Sequence, residues 1–92
     1  MANIKSAKKR IRQNRKRMLR NRMRKNVYRA AVRRFEAAVV SGDVSVAESA
    51  FRFASGRIDR AAQKGAIHRN AAARKKSRLA RILNTMARAD AS

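Results

Sequence analysis

The sequence predicts an all-α fold, a three-helix bundle whose long N-terminal helix projects beyond the bundle in its first half as a basic arm. Its 92 residues include 26 Lys and Arg but only 5 Asp and Glu, with no Pro and 3 Gly. Alanine, arginine and lysine favour helix, and without proline little interrupts it. Two breaks then separate three predicted helices, at about residues 5–41, 44–64 and 69–88.

Each break carries the turn chemistry that ends one helix and starts the next. Gly42 suits the left-handed residue after a helix end, and Asp43 can cap the second helix. The pair Ser45–Glu48 offers an alternative capping box. Lys64-Gly65 marks the second break, after which we expect Asn70 to cap the third helix.

Helix lengths predict the projecting arm. A helix of about 36 residues spans about 54 Å, whereas helices of about 20 residues span about 30 Å and cover only its C-terminal half. We therefore expect one domain, 1–92, with a basic arm at 1–20 and the bundle at 21–89.

Apolar residues predict which faces are buried. In the arm they form a narrow stripe: Ile4, Ala7, Ile11 and Met18. Further along the first helix we expect the buried face on nearly the opposite side, with Met23, Val27, Ala31, Phe35 and Ala38. The second helix should bury Ala47, Ala50, Phe51, Ala54, Ile58, Ala61 and Ala62. The third should bury Ala72, Leu79, Ile82, Leu83 and Met86, with Arg74, Arg78 and Arg81 on its other side.

Five residues leave alternatives open. Gly56 is either a tolerated weak spot or a place where a neighbouring backbone packs closely. Tyr28, Phe51 and Phe53 are able to stack on bases in principle. Phe51 falls on the packing face of the second helix, which favours a core position, and Phe53 lies off that face, either plugging the bundle's third side or exposed. His68 is a surface or capping residue in one interpretation and contacts a phosphate or base in the other.

The charge is concentrated at the two ends of the chain. Residues 1–34 carry 15 basic residues and no acid, 35–63 have a net charge of −1, and 64–92 have +7. Blocks of like charge are typical of interaction segments. The absence of Cys excludes a disulfide scaffold and a Cys-based metal site. One His and five scattered acids argue against a catalytic acid/base pair or another metal cluster, so we expect no enzyme and no cofactor.

The arm indicates the kind of partner. Twelve basic residues lie between Lys5 and Lys25, and like charges four residues apart each destabilise an isolated helix by about 0.2–0.5 kcal/mol. We expect the arm to become a stable helix only when a dense polyanion neutralises it. A membrane surface needs a broader apolar face than this narrow stripe. Basic residues that nearly encircle the helix favour folded RNA over a DNA groove.

Three segments resemble the bacterial small-subunit ribosomal protein S20 family: MANIKSAKKRIRQN, RNRMRKNVYRAAVRRFE and DRAAQKGAIHRNAAARKKSRLARILN. The resemblance covers nearly the whole chain in order. It implies a three-helix bundle that is a structural constituent of the small ribosomal subunit in the cytoplasm. It also implies direct, early binding to 16S ribosomal RNA, at its five-prime domain and long penultimate helix, which stabilises the RNA fold during assembly.

The resemblance, together with the basic character of the arm and of the third helix, further indicates two groups of RNA-contacting residues. The first follows the arm: Lys5, Ser6, Lys8, Lys9, Arg10, Arg12, Gln13, Asn14, Arg15, Lys16, Arg17, Arg20, Asn21, Arg22 and Arg24. The second follows the second break: Lys64, His68, Arg69, Asn70, Arg74, Lys75, Lys76, Ser77, Arg78 and Arg81. Arg15 departs from the family pattern, in which an acid is as common, and adds to the charge of the arm.

The expected partner is therefore small-subunit ribosomal RNA, with other small-subunit ribosomal proteins as conceivable neighbours. We expect no membrane, no small-molecule substrate and no homo-oligomer. The alternative is a nucleoid-type DNA-compacting basic protein, which composition alone would permit. A ribosomal protein should sediment with small subunits even after DNase treatment, whereas a DNA-compacting protein should sediment with DNA.

Overall fold

The computed structural model describes residues 2–91, and side chains from Ile4 to Ala91. Within that range the chain forms three helices, α1 (Ala2–Ser41), α2 (Val44–Gln63) and α3 (Arg69–Ala91). The predicted fold class is confirmed. Three of the six predicted helix boundaries, at residues 41, 44 and 69, coincide with the observed boundaries.

The turn between α1 and α2 is made by Gly42 and Asp43. Gly42 has a φ of +86°, which favours a residue without a side chain, and its N–H donates to the Val39 carbonyl at 3.1 Å. The Asp43 carboxylate accepts hydrogen bonds from the N–H groups of Ser45 and Val46, at 3.0 and 3.3 Å. Asp43 thus caps α2, and the alternative capping box is not used.

The end of α2 is a Schellman motif centred on Gly65. The Gly65 N–H donates to the Ala62 carbonyl at 3.0 Å, and the Ala66 N–H donates to the Ala61 carbonyl at 2.8 Å. Gly65 has the positive φ, +79°, that this motif requires. The motif folds Ala66 back against the helix end, where it is buried. The predicted second break is therefore confirmed.

The start of α3 differs from the prediction. His68, and not Asn70, caps the helix, since the His68 Nδ1 accepts a hydrogen bond from the Asn70 N–H at 3.1 Å. The first helical bond runs from the Ala72 N–H to the His68 carbonyl at 3.0 Å. The His68 Nδ1 precedes the Asn70 N–H by two residues, so it accepts that hydrogen bond as the side-chain oxygen of a usual N-cap residue does. The capping interpretation of His68 is confirmed, and the prediction for Asn70 is wrong.

α2 lies at the centre of the fold. It packs against α1 and against α3, whereas α1 and α3 contact each other little. Phe35 of α1 and Ile58 of α2 are the largest fully buried side chains, and the Phe35 and Phe51 ring centroids lie 6.0 Å apart. The buried residues of the described chain are Tyr28, Ala31, Phe35, Ala38, Ala47, Ala54, Ile58, Ala61, Ala66, Ala72 and Leu79.

The buried face of α1 is rotated from the predicted one. Met23 and Val27 are exposed, at 66% and 45%, whereas Tyr28 is 4% exposed. The buried face lies about a third of a turn from the arm stripe, not opposite to it. The prediction chose the wrong side for Met23 and Val27 because it left Tyr28 out of the core.

The predicted packing faces of α2 and α3 are largely confirmed. Ala54, Ile58 and Leu79 are buried, and Leu83 and Met86 pack against the core. Ile82 is the exception, because it is 37% exposed at the edge of α3 that faces α1. Apart from adjoining residues and the backbone of its own helix, no atom lies within 4 Å of the position that a Gly56 Cβ would take, so Gly56 is a tolerated weak spot and no neighbouring backbone packs closely on it.

The shape of the molecule is elongated. Its radius of gyration is 18.2 Å, against about 12 Å for a compact chain of this length. The accessible surface is 7423 Å², against about 5,400 Å² for a compact protein of this mass. All residues of 4–20 are exposed. The predicted projecting arm is thereby confirmed.

Candidate nucleic-acid interface

The arm presents charge over most of its circumference. Between residues 4 and 20 nine basic side chains are exposed, namely Lys5, Lys8, Lys9, Arg10, Arg12, Arg15, Lys16, Arg17 and Arg20. No acidic residue lies within residues 1–34 to neutralise them. The polar residues Ser6, Gln13 and Asn14 are exposed among them, and the stripe of Ile4, Ile11 and Met18 is exposed too. An anion can therefore approach this segment from several directions.

The base of the arm meets the loop between α2 and α3. Asn21, Arg22 and Lys25 line the same groove as Ala66 of that loop. Asn21 also orients a neighbouring arginine, because its Oδ1 accepts a hydrogen bond from the Arg24 Nη1 at 3.2 Å. The loop and the first turn of α3 expose Lys64, His68, Arg69 and Asn70. The loop that carries the start of the second predicted group therefore adjoins the base of the arm, where the first group ends.

The outer face of α3 extends the second group. Arg74, Ser77, Arg78 and Arg81 are exposed, and the Arg74 Nε donates to the Asn70 carbonyl at 3.3 Å. Helical spacing places these arginines away from Leu79, which faces α2. Their guanidinium groups remain accessible to a partner.

Two predicted RNA-contacting lysines have partners within the protein. The Lys76 Nζ lies 2.7 Å from the Asp59 Oδ1, so this ion pair joins α3 to α2. The Lys75 Nζ lies 5.6 Å from the centroid of the Tyr28 ring, which joins α3 to α1. Because Tyr28 is buried, its ring is not available to stack on a base. Whether these lysines also contact RNA stays a prediction.

Two arginines of α1 join the second group although the sequence did not indicate them. Arg29 and Arg33 line a groove between α1 and α3, together with Lys75 and Arg78. Val32, Leu79 and Ile82 supply apolar walls. The signal was available in the spacing, since residues four apart on a helix share a face.

A metal site and a membrane-spanning helix each impose requirements on the side chains and helices of the described residues. His, Asp and Glu side chains of residues 4–91 form no group of three that could hold a metal ion. None of the helices in the described range combines the length and apolar character needed to cross a bilayer.

Comparison with known proteins points to one family. A family model described as ribosomal protein S20 matches residues 2–84. The chain is 52% identical to the small ribosomal subunit protein bS20 of Shouchella clausii (strain KSM-K16), over 91% of this chain and 96% of that relative. It is 52% identical to bS20 of Clostridium botulinum (strain Alaska E43 / Type E3), and 49% identical to bS20 of Corynebacterium diphtheriae. Both alignments cover 95% of this chain and 100% of the relative. With its three helices and exposed basic arm, the chain belongs to the bacterial ribosomal protein S20 family.

Proposed function

We propose that this chain is a structural, non-enzymatic constituent of the small ribosomal subunit that binds 16S ribosomal RNA directly and stabilises the RNA fold during assembly. The observation that carries the proposal is the arm, where nine basic side chains are exposed along a helix without tertiary packing. Family membership supports the small ribosomal subunit as the particle to which the chain belongs, because the relatives are small ribosomal subunit proteins.

The proposed mechanism is charge neutralisation by a helical rod. In the free protein, repulsion along the arm is opposed by no packing, since residues 4–20 contact neither α2 nor α3 closely enough to be buried. RNA phosphates supply the missing counter-charge, so the arm becomes a stable helix as it binds. The exposed arginines of α3 then hold a second stretch of RNA against the bundle.

Salt dependence tests this mechanism. We expect the affinity of the full chain for a 16S ribosomal RNA transcript to fall linearly with salt on logarithmic axes, because binding releases counterions from phosphates. With roughly six to ten phosphates engaged, the loss between ~50 and ~200 mM salt is about a thousandfold or more. Filter binding across a salt series measures the slope.

A duplex DNA of equal nucleotide number serves as competitor in the same assay. It should displace the ribosomal RNA only at large excess, and footprinting should place the protein at a defined set of nucleotides. A flat salt response would refute the electrostatic mechanism. Equal competition by DNA would favour the nucleoid-type alternative.

A further inference from the structure

A cleft between the base of the arm and α2 is positively charged, although residues 35–63, which include α2, are nearly neutral in sum. Arg20 and Arg24 of α1 and Arg57 and Arg60 of α2 surround it, and Met23, Val27 and Ala61 form its apolar surface. None of the residues that line this cleft is acidic. The cleft therefore attracts a partner that is anionic and has an apolar or aromatic part.

Residues 35–63 have a net charge of −1 only as a sum. On the helix, Arg57 and Arg60 lie on one side of α2 and Glu48 lies on another. Asp59 is paired with Lys76 of α3 at 2.7 Å, which offsets its charge. One side of α2 is thus positive although the segment as a whole is not.

An exposed aromatic ring adjoins the cleft. Phe53 is 46% exposed and lies on the same side of α2 as Arg57. The Arg57 Cζ stands 5.0 Å from the Phe53 ring centroid, within the range of a cation–π contact. Gly56, one turn away, has no side chain, and the space around it is open. Phe53, Gly56 and Arg57 line one surface groove, together with Arg52, Asp59, Arg60 and Gln63.

We infer that this surface, defined by Phe53, Arg57, Arg60, Arg20 and Arg24, binds an unpaired nucleotide of RNA and the phosphates next to it. Nucleobases in single-stranded RNA stack on aromatic rings and on arginine guanidinium planes. The base stacks at Phe53 and Arg57, while Arg20, Arg24 and Arg60 bind the adjoining phosphates. The inference rests on the proposed function, and it adds a third contact, on α2, to those on the arm and on α3.

RNA fits the surface better than a protein does. Arg20 belongs to the arm itself, so the cleft is continuous with the proposed RNA-binding surface. Arg20, Arg24 and Arg60 complement adjoining phosphates, which carry one charge per nucleotide. Asp59 lines the groove beside Phe53, but it is paired with Lys76. The exposed Phe53 ring adds a surface on which a base stacks, beside the arginines that bind phosphates.

The test compares substitutions of the full chain in binding to a 16S ribosomal RNA transcript. Phe53→Ala should weaken binding by about fivefold to 150-fold, the range found for loss of one stacked base. Val46→Ala is the matched control, because Val46 is also on α2 and is 52% exposed. It should change affinity by less than about twofold. Circular dichroism of each variant verifies that the helices persist.

A second pair of variants examines the arginines. Arg57→Gln with Arg60→Gln should reduce the slope of affinity against salt by about 0.7 to 0.9 units, because Arg60 binds a phosphate and Arg57 stacks on the base. The control is Arg34→Gln with Arg88→Gln, which removes the same charge from exposed positions that line neither groove. The control should leave the slope nearer to that of the parent chain. A photoreactive amino acid at position 53, in reconstituted small subunits, should crosslink to RNA.

The outcomes separate this inference from the proposed function. If the parent chain binds with a steep salt slope but Phe53→Ala behaves like Val46→Ala, the α2 site is refuted and the proposed function stands. A crosslink from position 53 to a protein would make the cleft a protein-docking surface and overturn the inference. If the parent chain does not bind ribosomal RNA, both fall.

Discussion

Deleting residues 1–20 is expected to abolish tight RNA binding while leaving the bundle folded. The deletion removes nine of the 26 basic residues. Each lost phosphate contact should reduce the salt slope by about 0.7 to 0.9 units, and the affinity should fall by roughly a thousandfold or more. Residues 4–20 bury no side chain, and Tyr28 is the first buried residue in the range 4–91 whose side chains the structure describes. The melting of the shortened chain should therefore resemble that of the full chain.

A matched variant distinguishes charge from apolar contact. Replacing Ile4, Ile11 and Met18 by alanine keeps all nine charges and removes the exposed apolar stripe of the arm. This variant should retain most of the RNA affinity. If it binds as poorly as the deletion, apolar contacts outweigh phosphate neutralisation. The boundary at residue 20 stays a prediction that the melting experiment decides.

Amide hydrogen exchange examines the premise that binding orders the arm. Residues 5–20 should exchange rapidly in the free protein and slowly in the RNA complex, because repulsion along the arm is relieved only by phosphates. Strong protection in the free protein would mean that the arm is already a stable helix. Coupled folding would then have to be abandoned, although direct binding would not.

Phe35→Ala is expected to lower the free energy of unfolding by about 3–5 kcal/mol. Phe35 is fully buried where α1 meets α2, and its ring packs against Phe51. A small domain has only about 5–15 kcal/mol of stability in total. The variant should therefore lose helical circular dichroism before RNA is added, and lose RNA binding as a consequence of unfolding.

Val40→Ala is the control for this substitution. Val40 lies on the same helix but is 88% exposed, so its loss should change stability by no more than about 0.5 kcal/mol. Equal melting temperatures for Phe35→Ala and Val40→Ala would contradict the central position of Phe35.

Helix ends could be predicted because their chemistry is local. Gly42, Asp43 and Gly65 act through backbone groups two to five residues away, which the sequence displays directly. The cap of α3 was missed because a histidine took a role that asparagine fills more often. Local rules gave the right place for that helix start and the wrong residue.

The buried face of α1 could not be predicted because two adjacent apolar stripes run along that part of the helix, and either has the spacing of a buried face. Met23 and Val27 have the spacing of a buried face, as Phe35 does, but α2 packs on the side of Tyr28. Lys75, from a distant part of the sequence, helps to cover the Tyr28 ring. Spacing along one helix does not reveal where another helix will lie.

The arginines of α2 were missed for a related reason. Charge was summed along residues 35–63, and the sum hid the separation of Arg57 and Arg60 from the acidic residues around the helix. The three-dimensional arrangement then joined them to Arg20 and Arg24, over thirty positions earlier in the chain. The arm could be identified from the sequence because its charges need no tertiary neighbour.

The alanine-rich core has a consequence for the temperature dependence of stability. Seven of the eleven buried residues in the described chain are alanine, each of which contributes a single methyl group. Unfolding therefore exposes little apolar surface, and the extended arm exposes almost none. Since the heat capacity of unfolding follows newly hydrated apolar area, it should fall below the usual value of about 12–15 cal/mol/K per residue. The stability curve is then shallow, and heating melts the bundle over a wide interval of temperature.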